Sequence, residues 1–235
     1  IVIENYMKDL KLLQIVPSLE SGGVEQGTID VSNYIVERGY NSFIVSNGGR
    51  MMLSLNKKNT KHFNVPVHSK NPWIMFKNIK QIENIIKKNK INVAHVRSRA
   101  PAWSLFFSSK YGCKTISTFH NIYGHQNLCK RFYNSGLSKV DKIVAISEYV
   151  KSSIVDLYRI NEKKITVIYR GIDTDFYDPA LYNENNFMDF HSKFNFPADK
   201  KIILYPGRLT SWKGQIEFLN ILKLLNMDKI ICYFI

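Results

Sequence analysis

Residues 11–38 read KLLQIVPSLESGGVEQGTIDVSNYIVER. This stretch decides the fold class. Leu12 to Val16 is a short apolar run that stops at Pro17, as a buried strand does. A polar loop with Gly22 and Gly23 follows. From Val24 to Arg38 the apolar residues Ile29, Tyr34 and Ile35 recur at helical spacing, and Gly39 stands where a C-cap glycine is expected. Strand, glycine turn and helix in that order make the first half of a βαβ unit.

The pattern repeats along the chain. Apolar runs at Phe43 to Ser46, Phe63 to Val67, Val93 to Val96, Lys114 to Phe119, Lys142 to Ile146 and Ile165 to Tyr169 read as strands. Asn47-Gly48-Gly49 closes the second of them as a turn. Helical patterns occupy Pro72 to Lys88, Ala102 to Tyr111 and Glu148 to Tyr158. In the first of these, Phe76, Ile79, Ile82 and Ile86 form the apolar stripe, with most lysines off it. About seven strands of near-continuous apolar character predict a doubly wound parallel sheet with right-handed crossovers. Asp173 to Glu184 reads as a linker, and Phe187 to Phe194 as a helix. The strand-helix pattern then restarts with Lys201 to Tyr205, Gln215 to Leu225 and Ile230 to Phe234. The predicted organisation is an N-terminal Rossmann-like domain over 1–170, a linker and connecting helix over 171–200, and the start of a second domain over 201–235.

Composition narrows the function classes. Of 235 residues, 45% are hydrophobic and 13% aromatic, which excludes a disordered chain. Lys and Arg number 33 against 19 Asp and Glu, for a net charge of +14. That excess suits an anionic partner: nucleic acid, a membrane surface or a phosphorylated ligand. It equally suits a general compositional bias, because lysines are spread through loops and helices alike. No nucleic-acid motif is present, so no nucleic-acid partner is expected. Cys113, Cys129 and Cys232 are widely spaced, without metal-ligand spacing, which fits a reducing, cytoplasmic setting. The first sixteen residues mix acids and lysines into apolar content, unlike a signal peptide, and no run approaches the roughly 18 apolar residues of a membrane span.

Several residues fall where chemistry is expected. Gly22 and Gly23 open a helix at a strand's carboxyl edge, and let backbone approach a phosphate or sugar closely. They also read simply as a tight turn. Arg208 and Lys213 lie five positions apart on a loop after a strand, and suit a diphosphate. Read alone, they are two surface cations. His120 ends the run KTISTFH at the same type of edge, where it suits a hydroxyl contact or proton transfer, or a merely structural strand end. Period two sets His95 and Arg97 on one side of their strand. His95 reads as structural; Arg97 or Arg99 is the one expected to face the cleft. No nucleophilic triad or carboxylate pair is present. Ser147 and Glu148 read as a helix start.

Taken together, six segments resemble the retaining family 4 glycosyltransferases of the GT-B fold. They are Ser21-Gly22-Gly23-Val24-Glu25, Val96 to Pro101, Thr118-Phe119-His120, Val144 to Ser147, Gly171 to Phe176, and Gly207-Arg208-Leu209 with Trp212-Lys213-Gly214. The resemblance implies two Rossmann-like domains, the first binding the acceptor and the second a nucleotide sugar. It implies that Gly22 and Gly23 approach the donor phosphates and that His120, as the catalytic residue, contacts the donor sugar. Arg208 and Lys213 would hold the diphosphate, with Arg97 and Arg99 toward the acceptor. It implies no cofactor and no metal, the two cations taking the metal's place. Transfer would go by front-face attack to a saccharide or lipid-linked acceptor, in cell-envelope polysaccharide or lipopolysaccharide synthesis. The family's acidic E-x(7)-E element is not found in these 235 residues. The expectation drawn from this is a C-terminally truncated or split product, inactive unless a separate polypeptide completes the donor domain. The alternative is a non-catalytic remnant or binding module, peripheral on anionic membrane through its lysines and Trp73, Phe106 and Phe107.

Overall fold

The computed structural model describes residues 9–108, 112–124, 127–194, 196–197, 199–211, 213–225 and 227–235. The chain forms two compact units, one running to Gly171 and the other from Ile172 to Ile235.

The first unit is one parallel sheet of seven strands. They are β1 Lys11–Ile15, β2 Asn41–Ser46, β3 Thr60–Asn64, β4 Val93–Val96, β5 Lys114–Phe119, β6 Lys142–Ala145 and β7 Ile165–Val167. Their order across the sheet is β3-β2-β1-β4-β5-β6-β7. Every pairing is parallel. The helices are α1 Gly23–Glu37, α2 Pro72–Asn89, α3 Arg99–Ser108, α4 Leu128–Asn134 and α5 Glu148–Tyr158. This is the α/β architecture expected of a GT-B N-terminal half.

The pleat sorts side chains to two faces. Leu13, Ile15, Val45 and Val96 pack with Ile82, Ile86 and Leu105 of α2 and α3. Ile44 packs on the opposite face with Ile29 of α1, joined by Val16, Leu19 and Leu55. Leu13, Ile15, Ile44, Ile82, Leu105, Phe119 and Ile143 are all fully buried. Burying a side chain of this kind contributes roughly 1.5–3 kcal/mol. Both faces are covered, which is why the strands read as continuous apolar runs rather than alternating ones.

Several boundaries differ from the sequence expectation, each for a local reason. The third strand ends at Asn64, not Val67, because Pro66 has no N–H for the ladder and the chain turns there, with Val67 N donating to Val65 O at 2.7 Å. The strand after α5 leaves the sheet after Val167, and Tyr169 stands 68% exposed. Helix α3 begins at Arg99 rather than Ala102, since Pro101 is tolerated in a first turn. It is buried nearly all round and so has no stripe to read; the expected end at Tyr111 falls outside the described residues. In α2 the buried stripe is Asn78, Ile82, Ile85 and Ile86, and Phe76 points outward under Lys80. Helix α4 was not foreseen: it is seven residues long and not periodic, though its N-cap Asn127, accepting from Lys130 N, was a readable signal. Ser147 caps α5 as read, accepting from Val150 N.

The second unit holds α6 Glu184–Phe194, β8 Lys201–Tyr205, α7 Gln215–Leu222 and β9 Ile230–Phe234. β8 and β9 pair in parallel, Lys201 opposite Ile230 through to Tyr205 opposite Phe234. Phe190, Phe194, Phe196 and Tyr233 form one aromatic group, and Tyr205, Phe218 and Phe234 another. Helix α7 stops at Leu222, not Leu225, because Leu224 N and Leu225 N bond three residues back and tighten the last turn. Among the described residues no helix is long and apolar enough to cross a membrane.

Candidate active site

The strand order reverses between β1 and β4, the switch point at which open α/β sheets leave a crevice beyond the carboxyl ends of their strands. The register sets which side chains line it. Gln14 lies opposite His95, and His95 opposite Ile116. Gln14, His95 and Thr118 share the α1 face, and they are tied across it. Gln14 Nε2 donates to Thr28 O at 2.9 Å, and His95 Nε2 meets Thr118 Oγ1 at 2.8 Å. One pleat further along, Arg97 and His120 emerge on the same side past the strand ends. Arg97 Nη2 donates back to Gln14 Oε1 at 3.1 Å. His95 is thus a packing residue, as read from sequence.

Helix α1 starts at this edge. Gly22 occupies its N-cap at φ 133°, a left-handed conformation that favours glycine, and no side chain caps the helix. Gly23 and Gly27 lie one helical turn apart and face two guanidinium groups. A Cβ on Gly23 would stand 3.3 Å from Arg170 Nη1. A Cβ on Gly27 would stand 3.3 Å from Arg170 Nη2 and 3.5 Å from Arg97 Nη1. Arg170 also donates to Gly23 O. The glycines therefore give arginine side chains access to the helix, a role the tight-turn reading did not include.

His120 stands beside these cations with neither Nδ1 nor Nε2 hydrogen-bonded. Burial first, then Arg97 and Arg170, lower its pKa to about 4. It is neutral at physiological pH and a weak base. Arg97 is 7% exposed, and its Nε has no partner. Burial and the Arg170 charge lower its pKa to about 10, against a smaller opposing effect of Asp30, and it stays charged. Arg99 is placed elsewhere: its guanidinium lies 4.3 Å over the Tyr123 ring and donates to Asn134 Oδ1 at 3.1 Å. The crevice thus holds Gly22, Gly23, Arg97 and His120 together, and leaves Arg99 in an aromatic clasp beside α4. Arg170 and Gln14 were missed. Position at a strand's carboxyl edge was a signal for Arg170, but it sat where the domain was read as ending.

In the second unit the loop after β8 carries Arg208 and Lys213. Its backbone is fastened at both cations: Gln215 Nε2 donates to Arg208 O at 2.9 Å, and Tyr205 Oη to Lys213 O at 2.6 Å. Both side chains are exposed, and α7 begins immediately after, at Gly214 with φ 82° and no side-chain cap. Trp212, part of the motif read from sequence, lies outside the described residues. Among the described residues no cluster of three or more His, Cys, Asp or Glu is placed to hold a metal. Two surface hollows, of about 490 and 700 Å³, share Ser138, Lys139 and Tyr158 in their lining, and none of the candidate residues lines either.

The chain is 36% identical to a glycosyltransferase of Rickettsia africae ESF-5 whose crystal structure covers 97% of it, at a TM-score of 0.80, over 68% of that protein. Anabaena HepE, solved with UDP and glucose, is similar in fold at 15% identity and TM-score 0.73, covering 96% of this chain and 60% of its own. The GPI3 subunit of phosphatidylinositol N-acetylglucosaminyltransferase from Saccharomyces cerevisiae is 21% identical over 207 residues, 82% of this chain and 44% of the yeast protein. The chain spans less than half the length of the curated relatives it matches. The family described as Glycosyltransferase Family 4 matches residues 21–176, the segment that carries the glycine turn, Arg97, His120 and Arg170. With two thirds of its length inside that match, the chain belongs to glycosyltransferase family 4.

Proposed function

We propose that the protein transfers a sugar from a nucleoside-diphosphate sugar to a saccharide or lipid-linked acceptor of the cell envelope, polysaccharide or lipopolysaccharide, with retention at the anomeric carbon. The observation that carries this is His120: a neutral, enclosed imidazole with both nitrogens unpartnered, at the switch point of a family 4 sheet. Such a group hydrogen-bonds a sugar hydroxyl as donor and acceptor at once. With a pKa of about 4 it does not serve as the base at neutral pH. The acceptor proton therefore goes to the leaving phosphate oxygen as the sugar–phosphate bond breaks and the sugar–acceptor bond forms on the same face. Arg208 and Lys213 stabilise the charge that develops on the diphosphate, so that neither metal nor cofactor is required.

Because the chain spans under half of its curated relatives, donor binding is the direct test. A thermal melt with a panel of UDP- and GDP-sugars is expected to show stabilisation by one of them, by about 2.7 kcal/mol at a hundredfold excess over Kd. Arg208→Ala with Lys213→Ala removes it. A panel without any shift, or a shift that survives the double variant, refutes the reading.

A peripheral seat on the cytoplasmic membrane face has its own support. From Asn84 to Val140 the sequence contains ten Lys and Arg and no Asp or Glu. The same stretch exposes Leu128, Phe132 and Phe107, with Trp103 stacked between the last two. Lys139 lies over the Trp103 ring at 5.8 Å. Exposed apolar side chains with cations close by suit an anionic lipid surface. Pelleting with vesicles containing phosphatidylglycerol, lost in Phe132→Ser and at high salt, supports it; equal pelleting with neutral vesicles overturns it.

A further inference from the structure

Arg170 has no part in the transfer chemistry above, yet it is half of an unusual pair. Its guanidinium and that of Arg97 both come within 3.5 Å of one point, the place of a Cβ on Gly27. Among the described residues neither makes an ion pair within 4 Å. Arg97 is more than nine-tenths buried, with one side-chain acceptor, Gln14 Oε1, and an unpartnered Nε. Of the nearby α1 carboxylates, Glu25 turns back over Gly22, its Oε2 2.7 Å from the place of a Cβ there, and Asp30 is exposed and accepts from Gln26 Nε2 at 2.7 Å. A buried guanidinium with an unpartnered Nε, and a second cation held beside it from the solvent side, is unfavourable unless an anion completes it. Gly23 and Gly27 keep α1 bare so that both can lie there, and its uncapped N-terminus adds to the positive potential.

We propose that Arg97 and Arg170 bind an oxyanion carried by the acceptor, so that the acceptor is an acidic one, bearing a phosphate or a carboxylate. The assignment to the acceptor rests on the transfer reading, in which Arg208 and Lys213 already serve the donor's diphosphate. Arg97 supplies the buried, fixed fork. Arg170, exposed and resting on the helix, closes on the anion from the solvent side. His120, neutral beside them, contributes a hydrogen bond without adding a third charge.

Binding of inorganic phosphate, glucuronate, glucose and UDP to the full chain is measured by calorimetry at 0.15 M ionic strength, for the unmodified protein, Arg170→Gln, Arg97→Lys and the surface control Lys88→Gln. The expected result is saturable binding of phosphate and glucuronate but not glucose. Affinity falls at least tenfold in Arg170→Gln and Arg97→Lys, with no change in Lys88→Gln and no competition by UDP. If Arg97→Lys melts early, Arg170→Gln, whose side chain is exposed, decides alone. Unchanged affinity in Arg170→Gln, or an equal loss in Lys88→Gln, reduces the effect to general attraction of a basic protein and overturns the proposal. Competition by UDP overturns it too, by making the anion the donor's. Failure of the transfer reading shows separately, as absence of any UDP binding while the phosphate arm still responds.

Discussion

Gly27→Ala separates stability from binding. Gly27 sits inside helix α1, where replacing glycine by alanine favours folding by about 1 kcal/mol, part of it through the unfolded chain. Against this stands the new methyl group. It would meet Arg97 Nη1 at 3.5 Å, ordinary van der Waals contact, and Arg170 Nη2 at 3.3 Å, a few tenths too close. Arg97 is buried and held by Gln14, so it does not yield; Arg170 is exposed and yields. The cost is part of one exposed hydrogen bond to Gly23 O, worth about 0.5 kcal/mol. The net expectation is a gain of about 0.5 kcal/mol, or about 1–2 °C in Tm for a chain of this size.

The same methyl pushes the Arg170 guanidinium off its seat, so anion affinity falls roughly tenfold while the protein becomes slightly more stable. The pair of assays is a thermal melt and phosphate calorimetry, run in the parent and in Arg170→Gln. In Arg170→Gln the obstruction is gone, and Gly27→Ala is expected to give the full gain of about 1 kcal/mol. A loss of more than 1 kcal/mol in both backgrounds would show that Arg97, not Arg170, fills the space, and that the arm does not move as argued. A gain in stability with unchanged anion affinity would sever the glycines from the cations altogether.

Ile82→Ala, at a fully buried position of α2, is expected to cost about 2–5 kcal/mol in urea unfolding, whereas Phe76→Ala, on the outward face, changes stability by under about 0.5 kcal/mol. Gly136→Ala places a methyl 2.7 Å from Nε1 of Trp103, which is buried and donates to Tyr133 O, so a loss of about 1–3 kcal/mol is expected in the same assay. His120 has a folded pKa of about 4 against 6.5 when unfolded, so the folded state disfavours its proton. Its contribution is present above pH 6.5 and lost as pH falls toward 4, about 2 kcal/mol between pH 7 and 5. The stability profile of His120→Asn should lack that slope. Asn71→Ala removes the acceptor for Trp73 N at the start of α2 and is expected to lower stability by about 1 kcal/mol.

What the sequence disclosed, and what it hid, follows the range of the forces involved. β1, β4 and β5 were legible because burial on both sheet faces leaves a run of apolar residues that needs no partner to be recognised. Helix α3 was misplaced because a helix buried all round has no period to detect. The stripe of α2 was read correctly at Ile82 and Ile86 but not at its start, because Phe76 looks like core until Asn78, anchored by its Nδ2 to Pro66 O, is seen to take the inward position. At the site, the sequence supplies edges but not neighbours. Arg97 and Arg99 are equivalent in spacing from β4, and only tertiary structure separates them. One reaches back to Gln14 and lies against Gly27; the other is drawn away by Tyr123 and Asn134. Arg170 is harder still, because 72 residues lie between it and the arginine it faces. Yet the glycines announce the meeting. Gly23 and Gly27 are spaced one turn apart on a helix that would be more stable with alanine at Gly27. A helix keeps a costly glycine facing a strand edge when something bulky must lie there, and here two guanidinium groups do.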